Sequence, residues 1–176
     1  MLNQTPVQIA WVTRDLDATE ATLTALMGAR KWVRLPGVRF GGERSDGKDS
    51  GPDSCTYRGA PADFVADISL SYAGDMQLEL ISPVSGVSIY SEFLDTVGPG
   101  LHHVCVEAPD DDAFEQAVAA AERSGAPVVQ DGVMPGGMRF AYVAAPESGV
   151  PFIEIACIPS EIKTFFDYVK HGPQEK

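Results

Sequence analysis

The sequence predicts an α+β fold built from two tandem βαβββ modules. Three observations predict it: a strand–cap–helix–glycine unit that occurs twice at one spacing, a hairpin pattern after each copy, and a composition suited to a shared core. Residues 6–13, Pro-Val-Gln-Ile-Ala-Trp-Val-Thr, are dense in β-formers and read as a strand. Asp17 then reads as a helix N-cap, with Glu20 three residues on in the capping-box place. Leu23, Leu26 and Met27 supply an apolar face, Gly28 supplies the stop, and Lys31 to Val33 opens the next extended stretch. The second copy begins with residues 101–107, Leu-His-His-Val-Cys-Val-Glu, as a strand. Asp112 is the cap, Glu115 follows it by three, Phe114, Val118 and Ala121 form the apolar face, and Gly125 ends the helix. Nine residues separate Gln8 from Asp17, and nine separate His103 from Asp112, which marks one βα unit used twice.

Hairpins complete each module. Phe64 to Tyr72 and Met76 to Ile81 pair around Ala73-Gly74-Asp75; Met138 to Ala144 and Pro151 to Ile158 pair around Pro146-Glu147-Ser148-Gly149. The polar, Gly/Asp/Ser-rich stretch 41–63 is expected to be a long loop, either a lid or a surface insertion. Ser88 to Phe93 reads as a short connecting helix, broken by Val97-Gly98-Pro99-Gly100. Ser160 is the expected cap of a last helix carrying Phe165, Phe166 and Tyr168, packed on the sheet or on a partner chain, with a frayed tail from His171. The expected units are residues 1–96, 97–160 and a C-terminal helix and tail from 161 to 176.

Composition restricts the function. Of 176 residues, 25 are acidic and 13 are Lys or Arg, a formal charge of −12 that repels phosphate backbones and anionic membranes. A small-molecule partner is therefore expected, with no nucleic acid and no membrane. Three cysteines without a Cys-x-x-Cys pair fit neither a disulfide framework nor a zinc knuckle. The N-terminus has no basic region followed by an apolar stretch, so no signal peptide is expected and the expected location is cytoplasmic.

The chemistry lies in the alternation of strand side chains. Ile9 and Trp11 share one face of the first strand and Gln8 and Ala10 the other. Val104 and Val106 likewise oppose His103 and Cys105, with His102 expected on the helix side as a structural residue. Leu78 and Leu80 oppose Gln77, Glu79 and Ile81; Ile153 and Ile155 oppose Phe152, Glu154 and Ala156. Bulky apolar faces belong against the helices, which leaves Gln8, Glu79, His103 and Glu154 on the opposite face. Taken singly, each reads as a solvated or hydrogen-bonded strand residue. Taken together, at related places in two copies of one unit, they read as a ligand set. A buried carboxylate is costly without compensation, and a divalent cation compensates two at once. One imidazole, two carboxylates and one amide oxygen suit Mg, Mn, Co, Ni or Zn.

At this point the chain resembles a known family. Gln77-Leu-Glu-Leu-Ile-Ser-Pro83, Gly100-Leu-His-His-Val-Cys-Val-Glu107 and Val150-Pro-Phe-Ile-Glu-Ile155 are similar to segments of the vicinal oxygen chelate (glyoxalase/bleomycin resistance/dioxygenase) superfamily, in its methylmalonyl-CoA epimerase-like branch. The resemblance implies a cupped mixed sheet around a divalent metal ion held at Gln8, Glu79, His103 and Glu154. The family pattern has His where Gln8 stands. The resemblance implies a metal-dependent isomerase or lyase acting by proton abstraction next to a chelated carbonyl, on a small acyl-CoA or 2-hydroxycarbonyl substrate. Glu154 is the implied catalytic carboxylate; Asp67 or Ser69 lies in the region of the family's further catalytic Glu, and Asp67 is the candidate second base. Two alternatives stay open: a non-catalytic small-molecule-binding protein of the same fold, and a ring-cleaving dioxygenase. Homodimers are frequent in the family, so a homodimer is a further implication.

Overall fold

The first strand, β1 (Pro6–Val12), buries Gln8, Ala10 and Val12 on one side and turns Trp11 to the other. The structure is a computed structural model and describes residues 5–42 and 54–173. Helix α1 (Leu16–Met27) follows, then β2 (Val33–Gly41), two short strands β3 (Cys55–Tyr57) and β4 (Ala60–Pro61), and the long hairpin β5 (Asp63–Ala73) and β6 (Met76–Ser85). Helix α2 (Ile89–Thr96) leads to β7 (Gly100–Ala108), α3 (Asp111–Arg123), β8 (Val128–Val133), β9 (Arg139–Ala144), β10 (Phe152–Cys157) and α4 (Ser160–His171). No helix among the described residues is long and apolar enough to cross a membrane.

All ten strands form one mixed sheet in the order β2-β5-β6-β1-β7-β10-β9-β8-β3-β4. β1 runs parallel to β6, β7 runs parallel to β10, and β1 and β7 meet antiparallel at the centre. The halves of the sheet therefore repeat one another about the β1–β7 seam. Helices α1 and α3 cover the outer face as the alternation requires. Leu23 of α1 packs with Leu78 and Leu80, and Phe114 and Ala117 of α3 pack with Val143 and Ile155. Each such fully buried aliphatic side chain contributes about 1.5–3 kcal/mol. The inner face carries a second, aromatic-rich core around Phe40, Phe64, Tyr90, Phe140 and Tyr142.

Several local expectations are corrected. α1 is capped by Asp15, whose carboxylate accepts from the Ala18 amide at 3.0 Å, and α3 by Asp110, which accepts from the Ala113 amide at 2.8 Å. Asp17 and Asp112 fall instead in the first turn, where a negative charge complements the helix dipole. Glu20 and Glu115 reach across to Arg34 and Arg139 rather than closing capping boxes. Both halves shift by the same two residues, so the repeat survives the correction. Of the expected α1 face only Leu23 is buried; Leu26 is 79% exposed. α2 runs to Thr96, closed at its start by a Ser88–Ser91 capping box. α4 starts at Ser160 itself, after Pro159, with no side-chain cap, and continues through His171, where fraying was expected.

The expected loop is the largest departure. Residues 43–53 of it lie outside the described residues, but the rest is not loop. β3 pairs antiparallel with β8, so a segment of the first half extends the second half's edge. Gly132 makes this docking possible, because a Cβ there would lie 2.6 Å from the Ser54 carbonyl oxygen.

Candidate metal centre

The four central strands β6-β1-β7-β10 bring Glu79, Gln8, His103 and Glu154 to the inner face on two adjacent rungs of the sheet. Gln8 stands opposite Cys105, and Cys105 opposite Glu154; one rung away, Ala10 stands opposite both Glu79 and His103. The potential ligand atoms of Glu79, His103 and Glu154 all lie within 4.8 Å of one another. His103 Nε2 is 3.5 Å from a Glu79 oxygen and 3.2 Å from a Glu154 oxygen. Gln8 lines the same cavity as the two carboxylates.

Two hydrogen-bond chains aim these groups. Gln8 Nε2 donates to Gln77 Oε1 at 2.7 Å, and Gln77 Nε2 donates to the Tyr72 hydroxyl at 3.0 Å. With its nitrogen engaged, Gln8 leaves a buried Oε1 that has no hydrogen-bond partner. On the other side, His103 Nδ1 lies 2.9 Å from His102 Nδ1, which turns His103 Nε2 toward the two carboxylates. Unpaired buried acceptors are rare and costly, so Gln8 Oε1 beside this cluster marks a place for a further group.

Electrostatics agree with the geometry. Burial disfavours charge on His103, but hydrogen bonds and charge from Glu154 and Glu79 outweigh it and raise its pKa to about 9. Burial pushes Glu79 upward, His103 pulls it back, and Glu154 pushes it up further. His102 is held well below its usual range by burial and then by the charge on His103, so it is neutral. Tyr90 and Tyr142, hydrogen-bonded to each other at 2.7 Å, are kept protonated by burial and by the nearby carboxylates. With both carboxylates ionised, even a protonated His103 leaves one negative charge uncompensated. A divalent cation with neutral His103 balances the cluster. The donor set and the unpartnered Gln8 Oε1 thus fit a divalent ion of the oxygen- and imidazole-binding kind.

Asp67 is not at this site. The register places Leu70 opposite Glu79 and Ile68 opposite Ile81, so the even-numbered residues of β5 face the cavity. Asp67 points the other way and accepts from the Gly37 amide at 2.7 Å, while Ser69 donates to Glu20. His102 also departs from its expected place. β1 pairs Ala10 with His103 and Trp11 with Leu101, so His102 is the extra residue of a bulge. The bulge brings both imidazoles inward, and His102 packs among Tyr90, Phe93 and Phe152. Gln77, which holds Gln8, was overlooked although it shares the parity of Glu79. Trp11 lies in the outer core as expected, and Phe140 and Tyr142 line the cavity.

The cavity over the centre has a volume of about 370 Å³. Helix α4 forms one wall with Ile162, Phe165 and Phe166. Ion pairs from Lys163 to Glu107 (2.6 Å) and from Lys170 to Asp75 (2.7 Å) tie the helix to β7 and to the β5–β6 turn.

This arrangement, a pseudo-symmetric sheet with one mixed carboxylate–imidazole cluster at its seam, defines a class that sequence comparison identifies. Residues 7–142 match the family model of the Glyoxalase/Bleomycin resistance protein/Dioxygenase superfamily, and the chain belongs to that family. No curated protein matches the chain in sequence. Among solved structures, a hypothetical protein from Bacillus halodurans C-125 superposes with a TM-score of 0.59 at 12% identity, covering 90% of this chain and 97% of that one. Methylmalonyl-CoA epimerase from Mycobacterium tuberculosis does so with a TM-score of 0.56 at 17% identity, covering 93% and 97%. A variant of Streptomyces coelicolor methylmalonyl-CoA epimerase in complex with 2-nitronate-propionyl-CoA gives 0.53 at 18%, covering 90% and 100%. At such identities these likenesses establish the fold alone.

Proposed function

We propose that the protein is a metal-dependent isomerase or lyase of the glyoxalase/epimerase type, which removes a proton next to a carbonyl of a small-molecule substrate. Gln8, Glu79, His103 and Glu154 would hold the divalent ion. The observation that carries this reading is the convergence of the Glu79, His103 and Glu154 ligand atoms within 4.8 Å of one another, beside a buried Gln8 Oε1 that has no hydrogen-bond partner. When bound, the ion supplies Lewis-acid stabilisation of negative charge on a substrate oxygen. The chain's own residues do the rest. His103 is oriented by His102, Gln8 by Gln77, and the apolar walls exclude water, which strengthens each electrostatic contact.

Glu154 is the proposed proton carrier. Among the described residues, Glu79 and Glu154 are the carboxylates that line the cavity. With Asp67 turned outward, these two are the carboxylates left to take a substrate proton and return it. Tyr90 and Tyr142, kept protonated, offer hydroxyls rather than bases.

The test pairs metal analysis of the purified protein with solvent deuterium exchange into 2-hydroxycarbonyl and acyl-CoA compounds. Stoichiometric divalent metal and exchange that depends on it are expected. Metal without exchange across a broad panel would leave a binding protein of the same fold, a second reading favoured by the small number of basic groups in the cavity. A ring-cleaving dioxygenase is the weakest reading, because the cluster presents one imidazole: the His102 ring is directed at His103.

A further inference from the structure

We propose that, past the chelating end the proposed function already implies, the cavity takes a neutral, apolar body, and that it does not take an acyl-CoA. This rests on the reading of the site as a metal centre, and it names the substrate class for that site. The distribution of polarity in the cavity carries it.

At the floor stand Gln8, Glu79 and Glu154, with the hydroxyl-bearing Tyr90 and Tyr142 beside them. From the floor outward the lining is apolar. Leu35 and Val38 of β2, Met134 and Met138 before β9, and Phe165 and Phe166 of α4 form the walls around the rest of the space. Such a cavity has room and chemistry for an apolar ring or branched chain. The methionines adapt to its shape, and the phenylalanines offer flat contact area.

Cations are missing from this lining. Among the described residues, no Lys or Arg borders the cavity. The cations on the two bordering elements are engaged on the outside: Arg34 with Glu20, Arg39 with Asp63, Lys163 with Glu107 and Lys170 with Asp75. A substrate carboxylate or phosphate beyond the chelating end would be buried without a partner, close to two carboxylates already present. The formal charge of −12 raises the same objection at longer range. About 370 Å³ sits near the low end of ligand cavities, a size that suits a small apolar body.

Hydroxamates test the proposal, because they chelate through two oxygens and their tails can be varied. The full chain is loaded with Co²⁺, whose visible spectrum reports a change of ligands, and titrated with acetohydroxamate, benzohydroxamate and propionyl-CoA. Benzohydroxamate should bind on the order of 100-fold more tightly than acetohydroxamate, as burial of three to four further methylene-sized groups at about fourfold each would give. Phe165→Ala, on a partly exposed helix position, should shrink that gap several-fold. Propionyl-CoA should neither shift the spectrum nor displace benzohydroxamate. Equal binding of the two hydroxamates, or displacement by propionyl-CoA, overturns the proposal while leaving the metal reading intact. Failure to bind Co²⁺ would instead sink the metal reading. The apolar body is then decided by the metal-free chain with the neutral fluorophore N-phenyl-1-naphthylamine. Bright emission that weakens in Phe165→Ala supports it, and no emission rise overturns it.

Discussion

The buried imidazole at the seam should make metal affinity steeply dependent on pH. In the metal-free protein His103 is held to a pKa of about 9 by Glu154 and Glu79 against the cost of its burial. A cation at Nε2 must therefore displace a proton. At pH 7, two units below that value, about one molecule in 100 has the free imidazole, so apparent affinity sits about 100-fold below its limit. It should climb close to tenfold per pH unit between pH 6 and 8 and level off near 9. Calorimetric titration of Zn²⁺ at pH 7, repeated in buffers of different ionisation enthalpy, should report close to one proton released per ion bound. The same shift governs stability without metal. A folded-state pKa raised above the unfolded value of 6.5 stabilises below that value, and the contribution is lost as pH rises through about 9. Glu79, also raised, acts with the same sign at lower pH. A shift of this size corresponds to roughly 3 kcal/mol, or about 5–10 °C in Tm for a chain of this length. Unfolding curves of the stripped protein from pH 6 to 10 should show that decline, and His103→Gln should flatten it. Affinity that is independent of pH, with no proton released, would refute the reasoning that His103 is the imidazole ligand.

Other substitutions separate the site from its surroundings. Glu154→Gln should lower solvent exchange of the active substrate by about 10²- to 10⁴-fold, while Asp67→Asn, on the outward face, should leave it within about twofold; the two variants are compared in one NMR exchange assay. His102→Ala should cost about 10- to 100-fold in metal affinity by freeing the His103 ring, and His102→Asn, which keeps a nitrogen or oxygen near Nδ1, should recover part of it in the same titration. Gly132→Ala should destabilise by about 1–3 kcal/mol and expose the β3 region to protease, since the added methyl meets the Ser54 carbonyl; an unchanged digestion pattern would mean β3 does not depend on that close approach.

Much of the site was legible before any coordinates. Strand side chains alternate strictly, so Leu78 and Leu80 against a helix imply Glu79 on the far side, and Ile153 and Ile155 imply the same for Glu154. The doubled βα unit tied these residues to Gln8 and His103. Where reading by parity went astray, one extra residue or an unknown register was responsible. His102 was expected outward because alternation places neighbours on opposite faces, and the bulge suspends that rule for one step. Asp67 was a candidate because nothing local says whether Glu79 faces an odd or an even residue of β5; the Leu70–Glu79 pairing decides it. The caps were misplaced by two because each helix start offers more than one aspartate, Asp15 and Asp17 or Asp110 to Asp112, and any of them can accept from a backbone amide.

The sequence by itself determined the repeat, most of the strand faces and the residue types of the candidate ligand set, since these follow from periodicities of the chain. Only the tertiary structure decided that β3 joins the far edge of the sheet, that α4 walls the cavity, and that no cation among the described residues lines it. Those features depend on contacts between residues distant in the chain. Short-range patterns carry no information about such contacts until the sheet has closed around them.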